Sequence, residues 1–168
     1  QHLLFSRNDG PKKELDLNID RSRSMATMLE DPTPQRNHLF LCVTIDSAQL
    51  DFALKLHPDA RIDRQNLERK LAEPWERERF LDLVRSLPEG CQLGITSGAF
   101  HDARTVDDQV LRSVFAEFAR PELPGNTHWL VLHRAVGRAD ALAQGNALIG
   151  LARTGLAQLL PLYHFIAW

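Results

Sequence analysis

The segment SRNDGPKKELDLNID, from Ser6 to Asp20, gathers Asp9, Glu14, Asp16 and Asp20 around Lys12 and Lys13. Grouped carboxylates are what a hydrolytic centre uses to hold Mg²⁺ or Mn²⁺, with a lysine to orient the attacking water. Strand alternation sets Asp16, Asn18 and Asp20 on one face, about 6–7 Å between successive members. Asp9, Asp16 and Asp20 are therefore the candidate metal ligands of a metal-dependent hydrolase or nuclease. The spacing departs from the nuclease pattern in which an acid on one strand is followed, on the next, by Glu-x-Lys. Here Glu14 is followed by Leu15 and Asp16. Alternating polar residues also mark the solvated face of a half-buried hairpin, and the spacing favours that reading, with no cofactor.

A second group stands in TSGAFHDARTVDD, where Ser97, Gly98, His101, Asp102 and Arg104 follow a short apolar run. A loop between a strand's carboxyl end and a helix N-terminus is a common place for anionic ligands. A histidine beside an aspartate can serve as an oriented base or a metal ligand. Ser97, His101 and Asp102 are the candidate catalytic residues. Ser97 does not sit in a Gly-x-Ser-x-Gly elbow, which argues against a hydrolase nucleophile. His128 and His133 flank one strand at an odd separation and face opposite ways, so they do not chelate one ion together.

Two features point to binding instead. The polar stretch 21–37 carries Arg21, Arg23 and Arg36 with few compensating acids, and reads as a long loop that could meet an acidic partner or nucleic acid. The last residues, LAQLLPLYHFIAW, would expose Tyr163, Phe165 and Trp168 as aromatic anchors should Pro161 end the helix. The arginines of residues 61–85 alternate with acids, as on a solvated helical face.

The elements that position these groups follow from periodicity. Leu15, Leu17 and Ile19 alternate with polar residues after an Asp-Gly turn, which predicts an N-terminal β-hairpin. Residues 38–46 and 50–57 read as a strand pair. Helices are expected over 63–73, capped by Asp63, and over 75–87 after Pro74. A strand at 91–97, a helix opened by a Thr105–Asp108 capping box, a strand at 127–136 and a helix over 140–160 complete the chain. Small residues at Gly145 and Ala152 would let that last helix approach its neighbour closely.

The order β-β-β-β-α-α-β-α-β-α predicts an α+β fold over residues 1–168 as one domain, with a mixed, largely antiparallel sheet and helices mainly on one face. With 168 residues, 43% hydrophobic, 25% charged and a net charge of −2, the chain is of ordinary globular composition and has no general pull toward nucleic acid or anionic lipid. No apolar run is long enough to span a bilayer, so no membrane partner is expected. Cys42 and Cys91 read as two small buried thiols of a cytoplasmic protein. The start at Gln1 and the apolar end suggest a processed chain or part of a longer one. No specific catalytic motif stands out. The expected function is a regulatory or assembly module acting through protein contacts or self-association, with the metal-dependent hydrolase as its rival.

Overall fold

Residues 2–5, 34–120 and 128–168 are described here, from a computed structural model. The turn and return strand of the expected first hairpin, the candidate ligands Asp9, Asp16 and Asp20, and Arg21 and Arg23 lie outside them.

The alternation along residues 40–56 becomes a pair of neighbouring strands, β2 (Phe40–Ile45) and β3 (Gln49–Leu56), in antiparallel register with Val43 opposite Phe52. Between them Asp46 accepts the backbone N–H groups of Ala48 and Gln49, at 2.7 and 2.8 Å, and so closes the turn. β1 (His2–Phe5) adds to the outer side of β2. On the other side β3 pairs with β6 (Leu130–Gly137), β6 with β4 (Cys91–Ile95), and β4 with the short β5 (Phe100–Asp102). The result is one six-stranded sheet of order β1-β2-β3-β6-β4-β5 in which every pairing is antiparallel, so the parallel pair of a mixed sheet is absent from the described strands.

Helices α1 (Arg61–Ala72), α2 (Pro74–Arg85), α3 (Asp108–Phe118), α4 (Arg138–Ala143) and α5 (Leu148–Ala167) are the α-helices of the described residues. Together with the sheet they make an α+β fold. Phe80 and Val84 of α2 are buried against Leu54, Leu93 and Leu132 on one face of the sheet. Residues of α4 and α5 continue that layer over Val43, Leu50 and Phe52. The opposite face carries only a small cluster, Phe40, Cys42, Ala53 and Val131 with Trp129 beside it, and no described helix contributes to it.

Local chemistry departs from expectation at several helix ends. Pro74 occupies the first turn of α2 as anticipated. Asp63 does not cap α1. It lies inside the first turn, fully buried, and its Oδ2 accepts the backbone N–H of Leu39 at 2.8 Å. The cap of α3 is Asp107, whose side chain accepts from Val110 N–H, and not Thr105. The long C-terminal helix is broken at Gly145, whose φ of +50° is open to glycine and costly for other residues, so α4 and α5 are separate. Pro161, expected to bend or end the helix, lies inside α5, which runs on to Ala167. Proline removes the donor to the carbonyl of Ala157, but both residues are exposed, so water can serve that oxygen.

Candidate functional site

Continuing α5 past Pro161 redirects the aromatic tail. Tyr163 and Phe165 are core residues, with Phe165 5.4 Å from the ring of Phe80 and beneath the ammonium of Lys70, so neither is a surface anchor. Trp168 alone of the three is exposed. Arg36 stands half-buried in a 3₁₀ turn, Pro34–Asn37.

The His101–Asp102 pair does not assemble. The expected loop contains β5, and neighbours on a strand face opposite ways. His101 is opposite Leu93, whereas Asp102 is opposite Gln92. Asp102 is also engaged locally, accepting Arg104 N–H at 2.9 Å to cap a 3₁₀ turn.

Ser97 has a different partner. Its Oγ lies 2.8 Å from Nδ1 of His128, and Nε2 of His128 lies 2.6 Å from the backbone oxygen of Glu117. A carbonyl can only accept, so Nε2 carries a proton, and in the neutral ring Ser97 then donates to Nδ1. Glu117 O belongs to the last turn of α3 and also accepts the backbone N–H of Arg120, at 3.0 Å. The ring of His128 also stacks on Phe118, 6.4 Å between centroids. A hydroxyl donating to an imidazole is the resting arrangement of a serine nucleophile. Here, though, a neutral carbonyl stands where a carboxylate would stabilise the imidazolium. The adjacent Gly98 N–H is occupied by Ile95 O, at 2.9 Å. The arrangement ties the β4–β5 turn to the end of α3.

A second histidine pair stands on the face without described helices. Cys42, Ala53, His133, Gln92 and Asp102 form one row across the strands. Asp51 is diagonal to His133, and its Oδ1 lies 2.8 Å from Nδ1. Phe100 reaches the imidazole across Gly94, 4.9 Å between ring centroids. Sequence reasoning treated His133 only as one of a set. Its partner Asp51 is 82 residues away and is brought near by the β3–β6 register. Cys42 shares this face, whereas Cys91 is opposite Arg134 and faces the other way, so the two free, buried thiols cannot meet. Among the described residues no group of three or more His, Cys, Asp or Glu side chains could hold a metal ion.

The largest cavity given by the described residues is apolar. The floor is Leu3 of β1, Leu41, Val43 and Ile45 of β2 and Leu50 of β3. The wall is one flank of α5, Leu148, Ile149, Ala152, Leu156 and Leu160. They enclose a groove of about 730 Å³. It exists because α5 lies over β3 at Gly155, where a Cβ would come within 2.8 Å of the Phe52 ring. The helix thus buries its Gly155–Leu159–Leu162 side on the sheet and turns its Ile149–Leu160 flank outward. Leu3 is 62% exposed, Ile45 49%, Ile149 82% and Leu160 40%. Leu142, 68% exposed, borders the adjoining hollow beside Ile45, Leu50 and Leu148. Arg153 lines the groove, and Asp46 and Arg138 line the hollow. The sequence pattern predicted a helix over 140–160 but could not show which of its apolar residues the sheet would leave exposed. Among the described residues no helix is long and apolar enough to cross a membrane. No known family model, curated protein or solved structure matches this chain.

Proposed function

We propose that this chain is a non-enzymatic assembly or regulatory module acting through protein contacts, and that its contact surface is the groove between α5 and β1–β3. One observation carries the reading. Of the eight large apolar side chains exposed among the described residues, five (Leu3, Ile45, Leu142, Ile149 and Leu160) gather at this groove and its adjoining hollow. Scattered apolar residues are ordinary on a surface, whereas a contiguous patch rimmed by charge marks a contact site. Their exposed fractions add to about three whole side chains. Covering them is worth roughly 5–9 kcal/mol at about 1.5–3 kcal/mol each. Association costs about 4–15 kcal/mol in lost freedom, so the groove alone supports a contact of modest strength. A reducing, cytoplasmic setting belongs to the same reading, supported by two thiols on opposite faces of the sheet.

The test is a photo-reactive p-benzoylphenylalanine in place of Ile149, with the same residue in place of exposed Glu89 as control. A discrete protein adduct formed in cells from position 149 and absent from position 89 is the expected result. Adducts that do not depend on position would overturn the proposal.

A further inference from the structure

We infer that the groove holds a free long-chain fatty carboxylate, its alkyl chain along the floor and its head on Arg153. The inference rests on the reading of this groove as a contact site and adds the small molecule that would occupy and so govern it. The lining decides the chemistry of the occupant. Eleven of the twelve lining residues are Leu, Ile, Val or Ala, and the twelfth is Arg153. The lining side chains include no aromatic ring, hydroxyl, amide or carboxylate. Each polar group that enters without a partner is costly to bury, so the match is a ligand that is alkyl along its length and carries one anion.

Shape favours a single chain over a helix or another folded surface. The floor residues Leu41, Val43 and Leu50 are 5%, 5% and 3% exposed, whereas Leu3, Ile45, Ile149 and Leu160 at the rim are far more open. A helix about 10–12 Å across with its side chains rests on such a rim. An alkyl chain, whose carbons make contact at about 3.5–4.0 Å, enters between its sides. An apolar cavity of about 150 Å³ admits benzene, and the groove's 730 Å³ is nearly five times that, which is room for about sixteen carbons with the mouth left open. Charge completes the match. Arg153 is exposed, and among the described residues no carboxylate pairs with it. The adjoining hollow carries one charge of each sign, Asp46 and Arg138, so Arg153 sets the sign of the groove. An arginine stem lies readily along an apolar wall while its guanidinium reaches the mouth, where two N–H groups fit one carboxylate.

Titration of the purified chain with cis-parinarate, a long-chain polyene carboxylate that brightens on leaving water, tests this. Saturable binding at one site per chain is expected, with a dissociation constant of about 0.1–10 µM. Hexadecanoate should displace the probe at least tenfold better than decanoate, and decanol, without the anion, at least fivefold worse than decanoate. Arg153→Gln and Ile149→Glu, both at exposed positions, should each weaken the probe at least fivefold, while Arg69→Gln, an exposed arginine of α1, should leave it in place. Thermal midpoints without the probe separate lost binding from lost folding. Absence of saturable binding overturns the inference. So does binding that decanol matches, binding that Arg153→Gln leaves unchanged, or association only with phospholipid vesicles. A position-149 protein adduct without fatty-carboxylate binding keeps the contact-module reading alone, and the reverse result keeps the ligand and removes that reading.

Discussion

Ser97 Oγ and Nδ1 of His128 lie 2.8 Å apart across 31 residues of sequence, and the imidazole passes the connection to the last turn of α3. The geometry resembles half of a nucleophilic site without the parts that would make it work. A fluorophosphonate is therefore expected to leave the native protein unlabelled at Ser97. Ser97→Ala should lower stability by about 0.5–1.5 kcal/mol, the ordinary value of one hydrogen bond. Labelling of Ser97 that disappears in His128→Gln would instead establish a nucleophile and overturn the non-enzymatic reading.

Two glycines of α5 should respond to alanine with opposite signs. At Gly155 a Cβ would meet the buried Phe52 ring at 2.8 Å, so Gly155→Ala is expected to cost about 1–3 kcal/mol through overpacking. At Gly150 nothing lies within 4 Å, and Gly150→Ala should stabilise by about 0.5–1 kcal/mol through helix propensity. Urea unfolding of both variants is the check. A neutral Gly155→Ala would mean that α5 does not sit on the sheet as described.

Asp63 is fully buried and accepts the N–H of Leu39 at the entrance to β2. Asp63→Ala leaves that donor without its partner, at a cost of about 1–3 kcal/mol. Asp63→Asn keeps an accepting oxygen and should cost less. Equal losses in the two variants would show that charge matters more than acceptance.

Both thiols are buried, and burial pushes Cys42 and Cys91 above the usual thiol range. Unfolded thiols ionise near about pH 8.5, while the folded ones hold their protons to higher pH. The associated stability is thus fully present below that pH and declines as pH rises toward the folded values. Stability in buffers of increasing alkalinity should fall accordingly in wild type and less in Cys42→Ala, measured relative to each protein at neutral pH. A disulfide reagent should react with the two thiols only as the protein unfolds. Fast reaction of either thiol in the native state would contradict the packing.

Because β5 turns His101 and Asp102 to opposite sides, no shared metal site is expected there. Thermal scans in Mg²⁺, Mn²⁺ and Zn²⁺ should therefore respond alike in wild type, His101→Ala and Asp102→Asn. A ligand at about a hundred times its dissociation constant adds roughly 2.7 kcal/mol, a shift of several degrees. A shift of that size lost in both variants would restore the pair as ligands.

Periodicity alone located β2, β3, α1, α2 and β6, because a strand or helix half in the core must repeat its apolar residues at its own period. The paired α+β arrangement followed from their order. Local signals also marked Pro74 at a helix start, where a missing N–H costs nothing. They misjudged Asp63 and Thr105, since a carboxylate or hydroxyl near a helix start has several possible donors and only packing selects one. The partners of Ser97 and His133 were out of reach, because strand register joins residues 31 and 82 positions apart. The outward flank of α5 was hidden for a related reason. An apolar stripe records that a surface prefers cover, but the close approach of Gly155 to Phe52 decides which part the sheet covers and which part is left for another molecule.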